Sequence, residues 1–126
     1  MSPNPKSIAI AYLEACSRKD LQAVEALLAP QMVFVGPAAR VTGAAAYLAV
    51  LKRLGPVWVS SDVKKIFAEG DDVCAVYDFV TNTPAGRVPI VEWLRIENGL
   101  IAAVEIFFDR VSFKPASDEL ARLATR

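Results

Sequence analysis

Residues 73–101 read VCAVYDFVTNTPAGRVPIVEWLRIENGLI, and β-branched and aromatic residues form runs within this segment. Turn signals at Pro84-Ala85-Gly86 and Asn98-Gly99 separate the runs. Alternation of apolar and polar residues within the runs is typical of strands that bury one face. The segment therefore predicts consecutive antiparallel strands that are joined by hairpins.

The same kind of run also precedes Gly70-Asp71-Asp72, so four strands are predicted in all. Their predicted ranges are Val57–Ala68, Val73–Thr81, Val88–Ile96 and Leu100–Phe113. Helical periodicity dominates the chain before them. The predicted elements there are a helix from Asn4-Pro5 to Arg18-Lys19, a second helix capped by Asp20 and stopped by Pro30, a strand over Met32–Val35, a loop over Ala38–Val41, and a third helix capped by Thr42 and ended by Gly55-Pro56.

Three N-terminal helices followed by a meander of strands indicate an α+β fold, with the helices packed on one face of a curved antiparallel sheet. Ser117 is a good cap for a short terminal helix over residues 117–125. The chain has 126 residues, of which 54% are hydrophobic and 22% are charged. These values predict one globular domain over residues 1–126, with its core in about residues 5–113.

Charge and residue usage exclude several classes of function. Fourteen Lys and Arg balance fourteen Asp and Glu without a long basic cluster, which gives no support for nucleic-acid binding. The chain has no His, so acid–base chemistry must use Asp, Glu, Tyr or Lys. Cys16 and Cys74 are far apart in apolar sequence and are interpreted as buried free thiols. We expect a cytoplasmic protein with no membrane span, no metal and no cofactor.

Two carboxylates stand out in the predicted strands. Glu92 shares the side of its strand with the apolar residues Ile90 and Leu94. If the preceding turn centres on Ala85, Asp78 lies directly opposite Glu92 and on the same face. Two carboxylates so close cannot both ionise cheaply, which would suit a general acid and a general base. A different register would instead place them on the outer face, in solvated ion pairs with arginines.

The opposite side of the predicted strands carries aromatic and aliphatic residues. These are Val91, Trp93, Tyr77 and Phe79, and a monomer would rarely leave such a surface bare. We therefore expect a homodimer through the outer face of the sheet.

The order of these elements and several short segments resemble the nuclear transport factor 2-like superfamily, over about residues 5 to 113. The segments are Ala11-Tyr-Leu-Glu14, Asp20-Leu-Gln-Ala23, Met32-Val-Phe-Val35, Gly43, Ala68-Glu-Gly-Asp71, Trp93-Leu-Arg-Ile-Glu-Asn-Gly-Leu-Ile101 and Phe107-Phe-Asp109. The similarity is closest to SnoaL-like proteins, ketosteroid isomerases and limonene epoxide hydrolases. It implies a cone-shaped, cystatin-like α+β barrel, a fold that hosts enzymes, binding modules and scaffolds alike.

The resemblance also implies roles for single residues. Tyr12 and Glu92 match the two oxyanion hydrogen-bond donors of the isomerases, but the general base of those enzymes falls at Gly36. Asp78 matches the central aspartate of the epoxide hydrolases. The remaining hydrolase positions hold Val76, Ile106, Phe34 and Gly36, which makes epoxide hydrolysis by that machinery unexpected. SnoaL-like cyclases use a single acid–base aspartate, whose place either Asp78 or Glu92 could take.

These observations predict an enzyme that transfers protons on a small apolar carbonyl compound, as an isomerase, cyclase or dehydratase. Asp78 is predicted to be the general base, Glu92 the acid or oxyanion donor and Tyr12 a second donor, although a tyrosine on an apolar helix face is more often a packing residue. The predicted pocket lining is Phe34, Tyr47, Val80, Leu94, Val104, Ile106 and Phe108, which suits a hydrophobic or aromatic ligand. The alternatives are a non-catalytic ligand-binding or assembly module and a structural protein whose cavity Phe34 and Phe108 fill.

Overall fold

The computed structural model describes residues 4–125, so residues 1–3 and 126 of the predicted domain lie outside the described residues. Four helices and six strands make up most of this range. In chain order they are α1 (Pro5–Ser17), α2 (Leu21–Leu27), β1 (Leu28–Val35), β2 (Arg40–Thr42), α3 (Ala44–Leu54), β3 (Trp58–Glu69), β4 (Asp72–Thr81), β5 (Arg87–Glu97), β6 (Leu100–Phe107) and α4 (Arg110–Ala124).

Side-chain caps start the first two helices where the sequence predicts them. The Asn4 side chain accepts a hydrogen bond from the Ser7 backbone N–H at 2.8 Å, with Pro5 in the first helical position. The Asp20 side chain accepts one from the Ala23 backbone N–H at 3.1 Å. Both caps satisfy amide groups that have no partner within the first turn of a helix.

Several predicted boundaries are wrong. The first strand begins at Leu28 rather than Met32, and residues 40–42 form β2 rather than a loop. The N-cap of the third helix is Gly43 rather than Thr42. The last helix begins at Arg110 rather than at Ser117. Asp109 is the N-cap of this helix, and its side chain accepts a hydrogen bond from the Val111 backbone N–H at 3.1 Å.

The six strands form one sheet in the order β2-β1-β6-β5-β4-β3. All neighbouring strands are antiparallel except β1 and β6, which are parallel. The predicted wholly antiparallel sheet is therefore wrong for this pair, because α3 and the meander lie between the two strands and bring the chain back in the same direction. The α+β fold class is unaffected.

Helix α1 packs against β3, β4, β5 and β6, and α3 packs against β1. The strand beneath them shows why the sheet has one buried face. Along β5 every second residue is buried, from Val88 to Ile96, and the residues between them are exposed. This period of two is what one covered face requires, and it confirms that Glu92 lies with the apolar residues.

The register of the β4–β5 hairpin differs from the predicted one by three residues. Glu92 lies opposite Ala75, and Asp78 lies opposite Pro89. The turn centres between Thr83 and Pro84 instead of on Ala85, because residues 82–86 form a five-residue connection. A shift by an odd number of residues moves every side chain of β4 to the other face.

This shift exchanges the two faces of β4. Tyr77 and Phe79, which the sequence placed on the outer face, are buried on the helix side of the sheet. Asp78 and Val80 lie on the outer side instead. Gly86 closes the connection with φ of +61°, a left-handed conformation that glycine adopts without strain, and its carbonyl accepts the Thr81 backbone N–H at 2.8 Å.

No helix within residues 4–125 combines the length and the apolar character needed to cross a membrane.

Candidate active site

A cavity of about 160 Å³ lies between the helices and the inner face of the sheet. Helices α1 and α3 form one side of it, strands β4 and β5 form the other, and Phe113 of α4 and the exposed loop at residues 37–39 lie at its edge. Most of the lining side chains are aliphatic or aromatic. Within residues 4–125, the lining includes one carboxylate, Glu92, and three tyrosines, Tyr12, Tyr47 and Tyr77. A concave apolar site with a few polar groups is the usual form of a small-molecule site.

Glu92 occupies a buried position of β5, and only 3% of its surface is exposed. The Tyr77 hydroxyl donates a hydrogen bond to Glu92 Oε1 at 2.7 Å. The other oxygen, Oε2, is buried and has no hydrogen-bond partner among the described residues. A buried polar atom without a partner is costly, so this oxygen is available to a ligand in the cavity.

Burial raises the pKa of Glu92 to about 7, because the ionised carboxylate loses its hydration. The Tyr77 hydrogen bond and the nearby Tyr12 hydroxyl oppose this rise, because they stabilise the charge. At neutral pH both the ionised and the neutral form of Glu92 are therefore present. A carboxyl group with this pKa can act as a base and as an acid under the same conditions.

The hydroxyls of Tyr12 on α1 and Tyr47 on α3 form a short hydrogen bond with each other. Two hydroxyl groups carry two protons and their mutual bond uses one, so one proton remains for Glu92 or for a ligand. Burial raises the pKa of both tyrosines well above their usual value, with the Glu92 charge as a further cause. The pair therefore stays protonated and is a hydrogen-bond donor.

Asp78 does not line the cavity. Its carboxylate lies on the outer side of the sheet, where Lys64 Nζ is 3.1 Å from Oδ1 and Arg87 Nη1 is 3.5 Å from Oδ2. The predicted pairing of Asp78 with Glu92 is wrong because of the register of the β4–β5 hairpin. The alternative in which arginines pair with the carboxylates holds for Asp78 and not for Glu92.

The predicted lining residues divide into two groups. Phe34, Tyr47, Ile106 and Phe108 line the cavity. Val80, Leu94 and Val104 do not: Val80 lies on the outer side with Asp78, and Leu94 and Val104 are opposite each other in the core between β5 and β6.

Sequence reasoning missed several polar residues of the lining, among them Tyr77, Cys16 and Ser61. Tyr77 was assigned to the outer face, and only the correct hairpin register would have found it. Cys16 lies one helical turn after Tyr12 on the same face of α1, and this spacing was the available signal. Burial raises the pKa of the Cys16 thiol, which keeps it neutral.

Gly36 stands where the resemblance places a general base, and the space beside it is filled. A Cβ atom at this position would lie 3.2 Å from Phe34 Cζ and 3.3 Å from Ile106 Cγ1. A side chain here would therefore displace one of these two residues. Within residues 4–125, no group of three or more carboxylates and thiols has an arrangement that could hold a metal ion.

Comparison with known proteins identifies the family and the fold of the chain. The chain belongs to the SnoaL-like domain family, whose sequence profile matches residues 9–104. Its fold is that of the NTF2-like proteins, also described as cystatin-like, which confirms the predicted superfamily and the α+β class. No curated protein matches the sequence significantly.

Comparison with solved structures shows the same fold. A crystal structure from Kribbella flavida DSM 17836 is 28% identical with a TM-score of 0.81, and the match covers 93% of this chain and 96% of that chain. A proposed ketosteroid isomerase from the same organism is 21% identical, with 83% and 77% coverage and a TM-score of 0.74. A proposed polyketide cyclase from Sinorhizobium meliloti is 24% identical, with 79% and 93% coverage and a TM-score of 0.74. The same fold thus occurs in proteins described as a ketosteroid isomerase and a polyketide cyclase.

Proposed function

We propose that the protein transfers protons on a small apolar carbonyl compound, in a reaction of the isomerase, cyclase or dehydratase type. The observation that supports this proposal is the unpartnered Oε2 of Glu92, buried in an apolar cavity that the Tyr12–Tyr47 hydroxyl pair also lines. The roles first predicted for two carboxylates then belong to Glu92 alone.

The proposed reaction begins with the ionised form of Glu92. Oε2 takes a proton from the carbon next to the carbonyl group, and the C–H electron pair forms a C=C bond while the C=O π electrons move to oxygen. The spare hydroxyl proton of the Tyr12–Tyr47 pair donates a hydrogen bond to that oxygen, where the negative charge develops. The protonated Glu92 then returns its proton to the same or to a conjugated carbon. Proton count and charge balance without a further reactant.

Exchange of α-protons for deuterium in D₂O, followed by proton NMR, tests the proposal without knowledge of the natural substrate. Suitable probes are an acyclic ketone, cyclohexanone and the fused two-ring ketone 2-decalone. We expect the Glu92→Gln variant to lose roughly 10² to 10⁴-fold in exchange rate, which is the usual contribution of a positioned acid–base group.

Asp78→Asn is the matched control, since it neutralises a buried carboxylate that lies outside the cavity. We expect this variant to exchange protons at the wild-type rate. Equal exchange by the wild-type protein and Glu92→Gln with every ketone would refute the proposed mechanism.

The pH dependence distinguishes the two roles of Glu92. If the carboxylate takes the first proton, the exchange rate at low ketone concentration, where most of the enzyme is free, rises as the pH passes about 7 and Glu92 ionises. If Glu92 acts only as a hydrogen-bond donor, the rate falls over the same interval. We expect the rise.

The second candidate is a ligand-binding module without turnover. It is favoured by the presence of a single carboxylate in the cavity lining of residues 4–125 and by the filled space at Gly36. Ketone binding without any deuterium exchange would support this candidate over the enzyme.

We also propose a homodimer through the outer face of the sheet. Phe67, Val91, Trp93 and Phe107 surround one shallow apolar groove on that face, and Trp93 and Phe107 are 44% and 49% exposed. We call these four residues the outer patch. Val91 and Trp93 belong to the surface predicted from the sequence, and Phe67 and Phe107 stand in it in place of Tyr77 and Phe79.

Charges of both signs lie around the outer patch. Lys65 lies beside Phe67, with its ammonium 5.6 Å from the ring centre, and Glu105 lies opposite Trp93 on the neighbouring strand. A two-fold interface brings the same surface to both sides, so one protomer's cation can approach its partner's anion. The net charge of zero adds no overall repulsion.

Light scattering coupled to size exclusion tests the dimer. We expect a dimer at micromolar concentration and a monomer for Phe107→Glu. Val111→Glu is the control, since Val111 is a 79% exposed residue of α4 outside the outer patch, and it should remain dimeric. A wild-type monomer at this concentration would contradict the proposal.

A further inference from the structure

We propose that the cavity is restricted to uncharged carbonyl compounds built on one six-membered ring, and that Phe34 sets this limit. The inference rests on the binding site described under the proposed function, and it concerns what binds there rather than whether turnover follows.

The volume of the cavity limits how much of a ligand it can hold. The cavity measures about 160 Å³. An engineered apolar protein cavity of about 150 Å³ binds benzene, so a single six-membered ring with one polar substituent fills a space of this size. A fused ring system would have to displace a wall or leave part of itself outside the cavity.

Phe34 is the wall that a larger ligand would meet. Phe34 is 5% exposed, and its ring stacks on Tyr47 with ring centres 4.8 Å apart. The same ring approaches Gly36 so closely that even a single added Cβ would lie 3.2 Å from Phe34 Cζ. Phe34 is therefore held between a backbone segment and a tyrosine of the site, and close packing on both sides opposes its displacement.

The charge of the lining selects an uncharged ligand. Of residues 4–125, no Lys or Arg lines the cavity, and Glu92 is its one carboxylate. An anionic ligand would lose its hydration and face the Glu92 charge without a cation to pair with. A cationic ligand would also lose its hydration in an apolar site, where an ion pair does not reliably repay that cost.

The polar atoms select a carbonyl oxygen. The remaining proton of the Tyr12–Tyr47 pair can be donated to Glu92 or to a ligand, and Oε2 of Glu92 has no hydrogen-bond partner among the described residues. A ketone oxygen can accept hydrogen bonds from the hydroxyl pair and from neutral Glu92. A hydrocarbon of the same shape satisfies neither group.

Isothermal titration calorimetry with a matched series of probes tests the inference. The probes are cyclohexanone, 2-decalone, methylcyclohexane, cyclohexanecarboxylate and cyclohexylammonium. We expect wild-type protein to bind cyclohexanone at least about tenfold more tightly than each of the others, since a single unmatched group in a pocket costs roughly this factor. Equal or tighter binding of 2-decalone would overturn the ring limit. Equal or tighter binding of the hydrocarbon, the anion or the cation would overturn the uncharged carbonyl class.

The variant Phe34→Ala tests the wall itself. It should bind 2-decalone more tightly than cyclohexanone and so reverse the wild-type order. If Phe34→Ala does not fold, the smaller change Phe34→Leu should shift the same ratio in the same direction. Leu94→Ala is the control, because Leu94 is buried outside the cavity lining, and its ratio should stay at the wild-type value. An unchanged ratio in both Phe34 variants would refute the role of Phe34.

The test separates this inference from the proposed function. Selective binding of cyclohexanone without deuterium exchange would support the ligand class and refute the enzyme. Exchange of 2-decalone protons at the rate of cyclohexanone, with equal binding, would support the enzyme and refute the ring limit.

Discussion

The buried carboxyl of Glu92 should make the stability of the protein fall as the pH rises. Its pKa is about 7 in the folded protein against an ordinary value of 4.5, because burial disfavours the charge. Between these two values the unfolded chain has released its proton while the folded chain keeps it. The free energy of unfolding therefore decreases with pH over this interval and levels off above about pH 7. The difference of the two values corresponds to about 3 kcal/mol, at roughly 1.4 kcal/mol per pKa unit.

Glu92→Gln removes this titration while it keeps the shape of the side chain. The amide oxygen can still accept the Tyr77 hydrogen bond, but the buried NH₂ group adds an unsatisfied donor at a roughly constant cost of about 1–3 kcal/mol. The informative quantity is thus the difference in unfolding free energy between variant and wild type, followed from about pH 5 to about pH 8. We expect this difference to move by about 2–3 kcal/mol in favour of the variant.

Urea unfolding followed by circular dichroism measures both free energies. Glu97→Gln is the control on the same strand, since its side chain is 58% exposed and solvent screens its charge. If the free energies of unfolding of wild type and Glu92→Gln change with pH in parallel over this range, Glu92 is not a buried titrating group. That result would also remove the basis of the proposed proton transfer.

Three further predictions test the hydrogen bond, the turn and the core. Tyr77→Phe should raise the pKa of Glu92 above its wild-type value, because the hydroxyl stabilises the carboxylate; carbon-13 NMR of the Glu92 carboxyl measures this, and an unchanged value would contradict the hydrogen bond. Gly86→Ala should lower the free energy of unfolding by about 1–2 kcal/mol, because φ is +61° there and alanine is strained at this angle. The strand register should stay intact, and a free energy of unfolding equal to that of wild type would contradict the left-handed conformation of this residue. Leu94→Ala should lower the free energy of unfolding by about 2–5 kcal/mol, because the Leu94 side chain is fully buried. A decrease under about 1 kcal/mol in urea unfolding would show that neighbouring side chains move into the space that Leu94 leaves.

Much of the fold could be predicted from local sequence patterns. The alternation along β5 depends only on which residues share a face of an extended strand, so it placed Glu92 inside correctly. The side-chain caps Asn4 and Asp20 act on amides three residues away, so the starts of α1 and α2 were also predictable. The parallel pairing of β1 with β6 was not predicted, because it joins segments that are distant in the sequence.

The candidate site could be predicted only in part. Glu92 and Tyr12 lie on the apolar sides of their own elements, and this is visible in the sequence. The hydroxyl partner of Tyr12 is Tyr47, which lies 35 residues away, and no local pattern joins the two. The cavity volume likewise depends on how Phe34 packs against neighbours from other elements.

The sequence by itself determined the order of the helices and of every strand except β2, the α+β class and the inward position of Glu92, because each follows from a short-range periodicity or a cap. Only the tertiary structure decided that Tyr77 faces the cavity and that Asp78 does not. The physical reason is the five-residue connection at residues 82–86: its conformation sets the register of β4 against β5, and an odd shift in that register exchanges the two faces of β4. The proposed chemistry therefore rests on one carboxyl group rather than on two.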